Sequence, residues 1–194
     1  QKAWWGEARL PYPVFYWRQP FRWNALPDTP GAGRRAGVVL VHGFLCNRGF
    51  WLPWMRQLQT SGIPFAAVNL EPVFGSIDDY AAIIEAGVRR LGRPTGHPPL
   101  LVCHSMGGLA ARAWLRLPQR SPVAGVVTIG SPHHGTWLAR FGHGANGRQM
   151  RQGSRWLGAL SEPSVIGDPA MTCWYSNCDN IVFPPTTATL PGGG

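Results

Sequence analysis

The segment LLVCHSMGGL, from Leu100 to Leu109, runs from a buried strand into a helix with almost no loop between them. A strand is predicted over 100–103, where four apolar residues follow one another, and a helix over 107–117. A strand that turns directly into a helix lifts the residue at the turn clear of the sheet edge. In this segment that residue is Ser105.

The turn at Ser105 has the composition that a nucleophile elbow needs. Small residues must flank the serine so that the backbone can fold tightly without a clash of Cβ atoms, and Gly107 and Gly108 supply them on one side. On the other side, Cys103 stands where the Gly-x-Ser-x-Gly pattern has its first glycine, a modest departure because cysteine is small. The segment therefore predicts Ser105 as a nucleophile for acyl chemistry.

A second segment, VVLVHGF at 38–44, supplies what a serine nucleophile needs next. Its apolar run predicts a buried strand that stops at a glycine-bearing loop. Acyl transfer requires two backbone N–H groups that converge on the oxyanion formed in the transition state. We expect these donors to be the N–H groups of Phe44, in this loop, and of Met106, directly after the serine.

Strands and helices alternate along the rest of the chain. The patterns predict strands over 64–70, 124–129 and 171–175, and helices over 51–60, 77–91 and 147–160. Such alternation predicts an α/β fold with a mostly parallel central sheet, helices on both faces, and ligands beyond the carboxyl ends of the strands. We expect an aromatic and proline-rich arm over 1–30, one catalytic domain over 31–194, and a small cap around 136–164.

The composition excludes several classes of protein. Of the 194 residues, 44% are hydrophobic and 14% charged, which is typical of a folded chain, and no apolar run is long enough to span a membrane. The formal net charge of +9 favours anionic surfaces, but the arginines are scattered without a nucleic-acid-binding signature, so no nucleic-acid partner is expected. The four cysteines form no metal-binding pattern, and a Cys173–Cys178 bridge depends on the turn between them.

The arm has an unusual aromatic content: Trp4, Trp5, Tyr12, Phe15, Tyr16, Trp17, Phe21 and Trp23. One interpretation is that these rings pack on the domain. The other is a membrane-interface anchor, because Trp, Tyr and Arg together favour the headgroup region of a bilayer. On the second interpretation the protein makes peripheral membrane contact, and a membrane-associated or secreted location is slightly favoured over a cytoplasmic one. The oligomeric state is not indicated.

Four blocks, VLVHGF, LVCHSMGGL, TIGSPHHGT and YSNCDNIV, resemble the bacterial lipase and esterase branch of the α/β-hydrolases, particularly the small, cap-poor lipases. The resemblance covers about residues 37–182. It implies the α/β-hydrolase fold, whose last strand and helix we expect to lie outside this chain, and hydrolysis of an ester or lipid without a cofactor. It also implies that Asp179 is the acid of a catalytic triad. Independently, Asp179 follows a short strand at the sheet edge that carries Ser105, where a carboxylate can orient an imidazole.

The third member of the triad, a histidine, has no obvious counterpart. In the resembling enzymes it follows the acid, and no histidine follows Asp179 here, so we expect it beyond Gly194 and little activity from residues 1–194 alone. Internally, His133 and His134 are the plausible substitutes, since they follow a strand at the correct edge. The resemblance makes their segment a structural turn that lines the site. The residues expected to contact substrate are Leu45, His104, His133 and Trp137.

Two other functions remain open. The same residues could transfer the acyl group to an alcohol or cleave a polyester. A protein of another class, a non-catalytic binding protein with the same fold, would also keep Ser105 and lack the histidine. The intact elbow, oxyanion loop and acid favour an enzyme.

Overall fold

The structure is a computed structural model that describes residues 12–30, 35–162, 169–177, 179 and 181–190. Its strands form one parallel sheet, in the order β2-β1-β3-β4-β5. The strands are β1 Val38–Val41, β2 Phe65–Val68, β3 Leu100–His104, β4 Gly125–Ile129 and β5 Met171–Trp174. Because all of them point the same way, their carboxyl ends, including that of β3 before Ser105, meet at one edge.

Helices cover both faces of this sheet, as the alternation of elements predicts. The α-helices are α1 Gln19–Arg22, α2 Leu52–Thr60, α3 Tyr80–Thr95, α4 Met106–Leu115, α5 Ala145–Gln149 and α6 Arg155–Leu160. Side chains alternate along β1: Val39 and Val41 pack in the core beneath α3 and α4, whereas Leu40 packs with Met55 of α2 on the other face. Both faces of the inner strands are therefore buried, which explains their continuous apolar runs.

Two predicted helices differ from those observed. The helix predicted over 77–91 begins as a 3₁₀ turn, Ile77–Asp79, and α3 continues to Thr95, where Gly96 ends it at φ +67°. The stretch 147–160 is not one helix. Gly153, at φ +70°, breaks it, and the side chain of Ser154 caps α6 by accepting the N–H of Leu157.

The described part of the arm comprises a π-helical turn, Tyr12–Arg18, followed by α1. It is attached by polar groups: the N–H of Asn47 donates to Gln19 Oε1 at 2.8 Å, and Asn47 Nδ2 donates to the Gln19 carbonyl at 3.0 Å. The aromatic rings of residues 15–23 are not buried against the domain. Exposed are Phe15, Tyr16, Trp17, Phe21 and Trp23.

Some predictions concern residues outside the described ranges. These are the arm before Tyr12, the end of the cap at 163–164, and Cys178; the described Cys173 carries a free thiol. In the described ranges, no three His, Cys, Asp or Glu side chains cluster as metal ligands would. The helices described above include none that is both long and apolar enough to cross a bilayer.

Candidate active site

Ser105 occupies the one-residue turn between β3 and α4. Its backbone has φ 52° and ψ −126°, a conformation that L-residues rarely adopt. The surroundings hold it there, because the N–H of Ser105 donates to the carbonyl of Ile129, the last residue of β4, at 2.9 Å. The strand, the sharp turn and the helix are the geometry that exposes a serine Oγ at the sheet edge.

Two glycines allow the backbone to close around this turn. A Cβ on Gly107 would lie 2.7 Å from the carbonyl oxygen of His42 and 2.8 Å from that of Val41. A Cβ on Gly43 would lie 2.8 Å from Cβ of Ser105. Neither distance is tolerable for a real side chain, so the loop after β1 can lie directly against Ser105 only because both residues are glycine.

The two residues expected to donate to the oxyanion each follow one partner of this contact in the chain. Phe44 follows Gly43 in the loop, and Met106 begins α4, where the first-turn N–H groups have no acceptor within the helix. Within the described part of the chain, no hydrogen bond occupies the N–H of Phe44 or of Met106. The partial positive charge of the helix N-terminus adds to the field at Ser105. The arrangement is suited to binding a developing oxyanion.

His42 braces the oxyanion loop. Its Nδ1 lies 2.8 Å from the carbonyl of Gly43, and the N–H of Leu70 donates to its Nε2 at 3.0 Å. Because Nε2 accepts, the ring is the neutral tautomer with the proton on Nδ1. Burial lowers the pKa of His42 to about 4, which keeps it neutral near pH 7.

Asp179 lies beside the end of β4, next to the residue that anchors Ser105. Its Oδ2 is 3.3 Å from the position that a Cβ on Gly130 would occupy. Its Oδ1 accepts the N–H groups of Ile181 at 2.8 Å and Val182 at 2.9 Å. One carboxylate oxygen thus orders the loop, and among the described residues none donates to the other. The structure brings Asp179 and Ser105 to the same end of β4.

A cavity of about 400 Å³ opens over Ser105. Its walls are mostly apolar and come from the oxyanion loop, the loop after β2, the cap segment and the loop after Asp179. The lining includes Phe44, Phe74, Pro132, Leu138, Phe141, His143, Met150, Ile181 and Val182. The size and character of the cavity suit an acyl chain.

The cap is tied to the body by buried polar side chains. Asn146, which is fully buried, donates from Nδ2 to the Val73 carbonyl at 2.7 Å. Within the cap itself, the half-buried Arg151 donates to the carbonyls of Ala139 at 3.3 Å and Gly142 at 2.8 Å. Thr136 Oγ1 donates to the Ile181 carbonyl and so joins the cap to the loop after Asp179. These bonds fix three walls of the cavity relative to one another.

His133 and His104, both expected to contact substrate, do not line the cavity. His133 is fully buried, with Nε2 3.0 Å from Thr128 Oγ1, and burial followed by the charge of Arg112 lowers its pKa to about 3. His104 stacks on Phe50 with ring centroids 4.4 Å apart. Burial lowers the pKa of His104 to about 4, against the nearby charge of Asp179, which raises it.

Leu45 and Trp137 also lie off the cavity. Leu45 is exposed, at φ 56°, and lines a neighbouring groove. Trp137 packs on Phe141, which does line the cavity, with ring centroids 5.4 Å apart. Among the described residues, His143 is the histidine that lines the cavity together with Ser105.

Sequence reasoning missed Phe74 and Asn146. Phe74 could have been predicted as a lining residue, because it is an aromatic residue that follows β2 at the carboxyl edge of the sheet. A buried amide such as Asn146 leaves no pattern in the sequence.

The sequence matches the model of the alpha/beta hydrolase family over residues 38–188. A comparison with curated proteins finds no match. Among solved structures, lipase B of Aspergillus fumigatus is 19% identical over 85% of this chain and 44% of that chain, with a TM-score of 0.73.

Other similar solved structures are a bacterial lipase and a bacterial phospholipase. The mature form of the Bacillus licheniformis lipase BlEst2 is 22% identical over 71% of this chain, with a TM-score of 0.57. Phospholipase PlaB of Legionella pneumophila is 19% identical over 66% of this chain and 35% of that chain, with a TM-score of 0.55. The chain spans 32% of the propeptide form of BlEst2 and 60% of the mature form. At these identities the likeness shows the fold alone.

Proposed function

The chain belongs to the alpha/beta hydrolase family, and from that premise we propose that it is a serine hydrolase of carboxylic esters, of the lipase or esterase type. The observation that carries the proposal is the backbone of Ser105, at φ 52° and ψ −126° on the wall of an apolar cavity. A strained residue of this kind persists only where its surroundings enforce it, and such residues cluster at active sites.

In the proposed reaction, Ser105 Oγ attacks the ester carbonyl carbon. The N–H groups of Phe44 and Met106 bind the oxyanion of the tetrahedral intermediate, which collapses with loss of the alcohol and leaves an acyl-serine. Water then hydrolyses the acyl-serine. The free carboxylate oxygen of Asp179 orients a histidine that takes the serine proton and returns it to the leaving alcohol.

We propose that this histidine lies outside residues 1–194. His42 and His133 are buried and His104 is half-buried. Desolvation holds all three neutral near pH 7, and none of them lines the cavity. His143 shares the cavity but belongs to the cap, on a different wall from Asp179. A substitution of His143 therefore tests this assignment.

The experiment is hydrolysis of p-nitrophenyl esters of graded chain length by the full-length protein. Ser105→Ala should abolish turnover above background. Ser131→Ala is the matched control, because this buried serine lies beside the same helix, against Gly108, and no catalytic role is proposed for it. His143→Ala should retain most of the activity.

Three results would count against the proposal. Full activity in Ser105→Ala would show that Ser105 is not the nucleophile. Loss of activity in His143→Ala with the fold intact would indicate that His143 is the base. A folded full-length protein that hydrolyses no ester would favour a non-catalytic binding protein.

A further inference from the structure

The aromatic rings of residues 15–23 are exposed although this part of the arm is attached to the domain. Tyr16 is 71% exposed and Phe21 66% exposed, and the ring of Trp17 lies tilted against that of Phe21, with ring centroids 5.6 Å apart. The attachment uses the amide of Gln19, as described above, and not these rings. Large apolar side chains grouped on a surface in this way mark a site that meets a partner.

A groove of about 380 Å³ lies between the arm and two loops of the domain. Phe15 and Pro20 form the arm side of this groove. Leu45, from the loop after β1, and Val73, from the loop after β2, form the domain side. The groove is therefore built from the loops that also carry the oxyanion donor and the cavity wall.

The groove and the cavity over Ser105 are neighbours across these two loops. Phe44 and Phe74 line the cavity, and the adjacent residues Leu45 and Val73 line the groove. The rings of Phe44 and Phe74 meet edge to face, with centroids 5.8 Å apart. Apolar side chains thus line the way from Phe15 and Pro20 of the arm, through Leu45 and Val73, to the cavity that contains Ser105.

The charges around this surface indicate which kind of partner it binds. Residues 12–27 of the arm include Arg18 and Arg22 and no acidic residue. Residues 132–161, which contain most of the cap, hold several arginines and again no acidic residue. Arg140 lies over the rings of Trp137 and Phe141, at 5.0 and 5.6 Å. Glu71 is the acidic side chain that lines the groove. Arginines beside exposed aromatic rings fit the headgroup region of an anionic bilayer.

We propose that this surface, represented by Trp17, Phe21, Leu45, Val73, Phe74 and Phe141, docks on a bilayer that contains anionic phospholipids. We call it the docking face. Docking places the mouth of the cavity against the lipid, so that an ester can pass from the bilayer to Ser105. The docking does not depend on the proposed function, whereas this supply of substrate rests on it.

The test is co-sedimentation of full-length Ser105→Ala protein with vesicles, since this variant cannot hydrolyse them. Vesicles of phosphatidylcholine mixed with phosphatidylglycerol should bind the protein, less so at high salt, and phosphatidylcholine alone should bind it weakly. Adding Trp17→Ser and Phe21→Ser should weaken binding by at least about ten-fold, because two exposed rings no longer enter the interface. Arg22→Gln should weaken it by about five-fold.

Matched controls lie elsewhere on the molecule. Arg93→Gln removes one exposed positive charge near the start of β3, at the edge of the sheet opposite Ser105, and should leave binding unchanged. Trp174→Ala removes an exposed aromatic ring from β5 that lines neither the groove nor the cavity, and should also leave it unchanged. All substituted positions are exposed or half-buried, and a thermal melt of each variant verifies that the fold is kept.

Failure of the proposal would be visible in three ways. The protein could remain in the supernatant with anionic vesicles, or the Trp17→Ser, Phe21→Ser variant could bind as tightly as its parent. Light scattering could instead show a dimer that this variant loses, which would make the face a contact between two copies.

A second measurement addresses the supply of substrate, in protein that retains Ser105. Trp17→Ser with Phe21→Ser should slow hydrolysis of an ester embedded in anionic vesicles by about ten-fold, following the loss of binding. The same variant should hydrolyse a soluble short-chain ester at the wild-type rate. Equal rates on the embedded ester would contradict docking as the route of supply. Vesicle binding without hydrolysis of any ester would contradict the proposed function and support docking.

Discussion

The surroundings of Ser105 and of Asp179 differ in how they are built. Ser105 is fixed between two buried elements, β3 and α4, and its Cβ lies close against Gly43 in the loop after β1. Asp179 lies on a loop after β5, the last strand of the described sheet, and its hydrogen bonds reach only a few residues along the chain. The geometry of the nucleophile therefore belongs to the core of the fold, whereas that of the acid belongs to a local loop.

The largest expected effect comes from a substitution that removes the charge of Asp179 but keeps its local hydrogen bonds. In Asp179→Asn the amide oxygen can still accept the N–H groups of Ile181 and Val182, so the loop should keep its shape. The orienting charge is lost, and we expect kcat/KM for esters to fall by about 10⁴-fold. Kinetics and a thermal melt of the same preparation measure both effects. A loss of activity below about ten-fold would remove Asp179 from the triad.

The next effect tests the contact on the nucleophile side. A Cβ added at Gly43 would lie 2.8 Å from Cβ of Ser105, so Gly43→Ala must push the oxyanion loop away. We expect a loss of roughly 10²- to 10³-fold in kcat, comparable to removing one oxyanion donor. Gly158→Ala is the control, since a Cβ there meets no atom within 4 Å, and it should leave kcat unchanged. Similar kinetics for the two variants would mean that the contact does not matter.

A third prediction concerns the loss of folding stability at low pH, which we attribute to three histidines with lowered pKa values. The folded-state pKa values of His42, His104 and His133 are about 4, 4 and 3, below the ordinary value of 6.5. Below that value the unfolded chain binds more protons than the folded chain. Stability is therefore complete above about pH 6.5 and declines as the pH falls toward 4, by roughly 1 kcal/mol per pH unit for each histidine.

Urea unfolding between about pH 7 and about pH 5 measures this slope. His104→Phe should make it shallower, since phenylalanine keeps the stack on Phe50 and takes no proton. An unchanged slope in this variant, or a stability that does not vary with pH, would contradict the account.

The smallest expected effect is on the cap. Phe141 lines the cavity and Trp137 packs behind it, so Phe141→Ala should change chain-length selectivity more than Trp137→Ala does. We expect the ratio of kcat/KM for long over short acyl esters to change by about ten-fold in Phe141→Ala. A larger effect in Trp137→Ala would contradict this ranking and support the sequence-based expectation that Trp137 contacts substrate.

The sequence predicts the sheet and the turn at Ser105 because both depend on local patterns. Apolar runs mark each strand, and Gly107 with Gly108 marks the tight turn after β3. Each of these features lies within a few residues of the strand or turn that it marks, so the local segment contains the information.

The rest of the site depends on contacts between distant segments. The hydrogen bond from Asn146 to the Val73 carbonyl joins residues some seventy positions apart. Phe74, next to Val73, likewise forms a cavity wall together with residues of the distant cap. His133 lies at the predicted edge of the sheet, but its burial against Thr128 follows from side-chain packing that no local pattern records. Leu45 takes a backbone with positive φ that would favour glycine, so its place in the groove could not be anticipated.

The most direct test of the account is to locate the adduct of a fluorophosphonate on the full-length protein by peptide mass spectrometry. The reagent reacts with a serine only where a base and oxyanion donors activate it. We expect an adduct on Ser105 in the wild type and none in Ser105→Ala. An adduct on a different serine, or no adduct on a protein that hydrolyses esters, would contradict it.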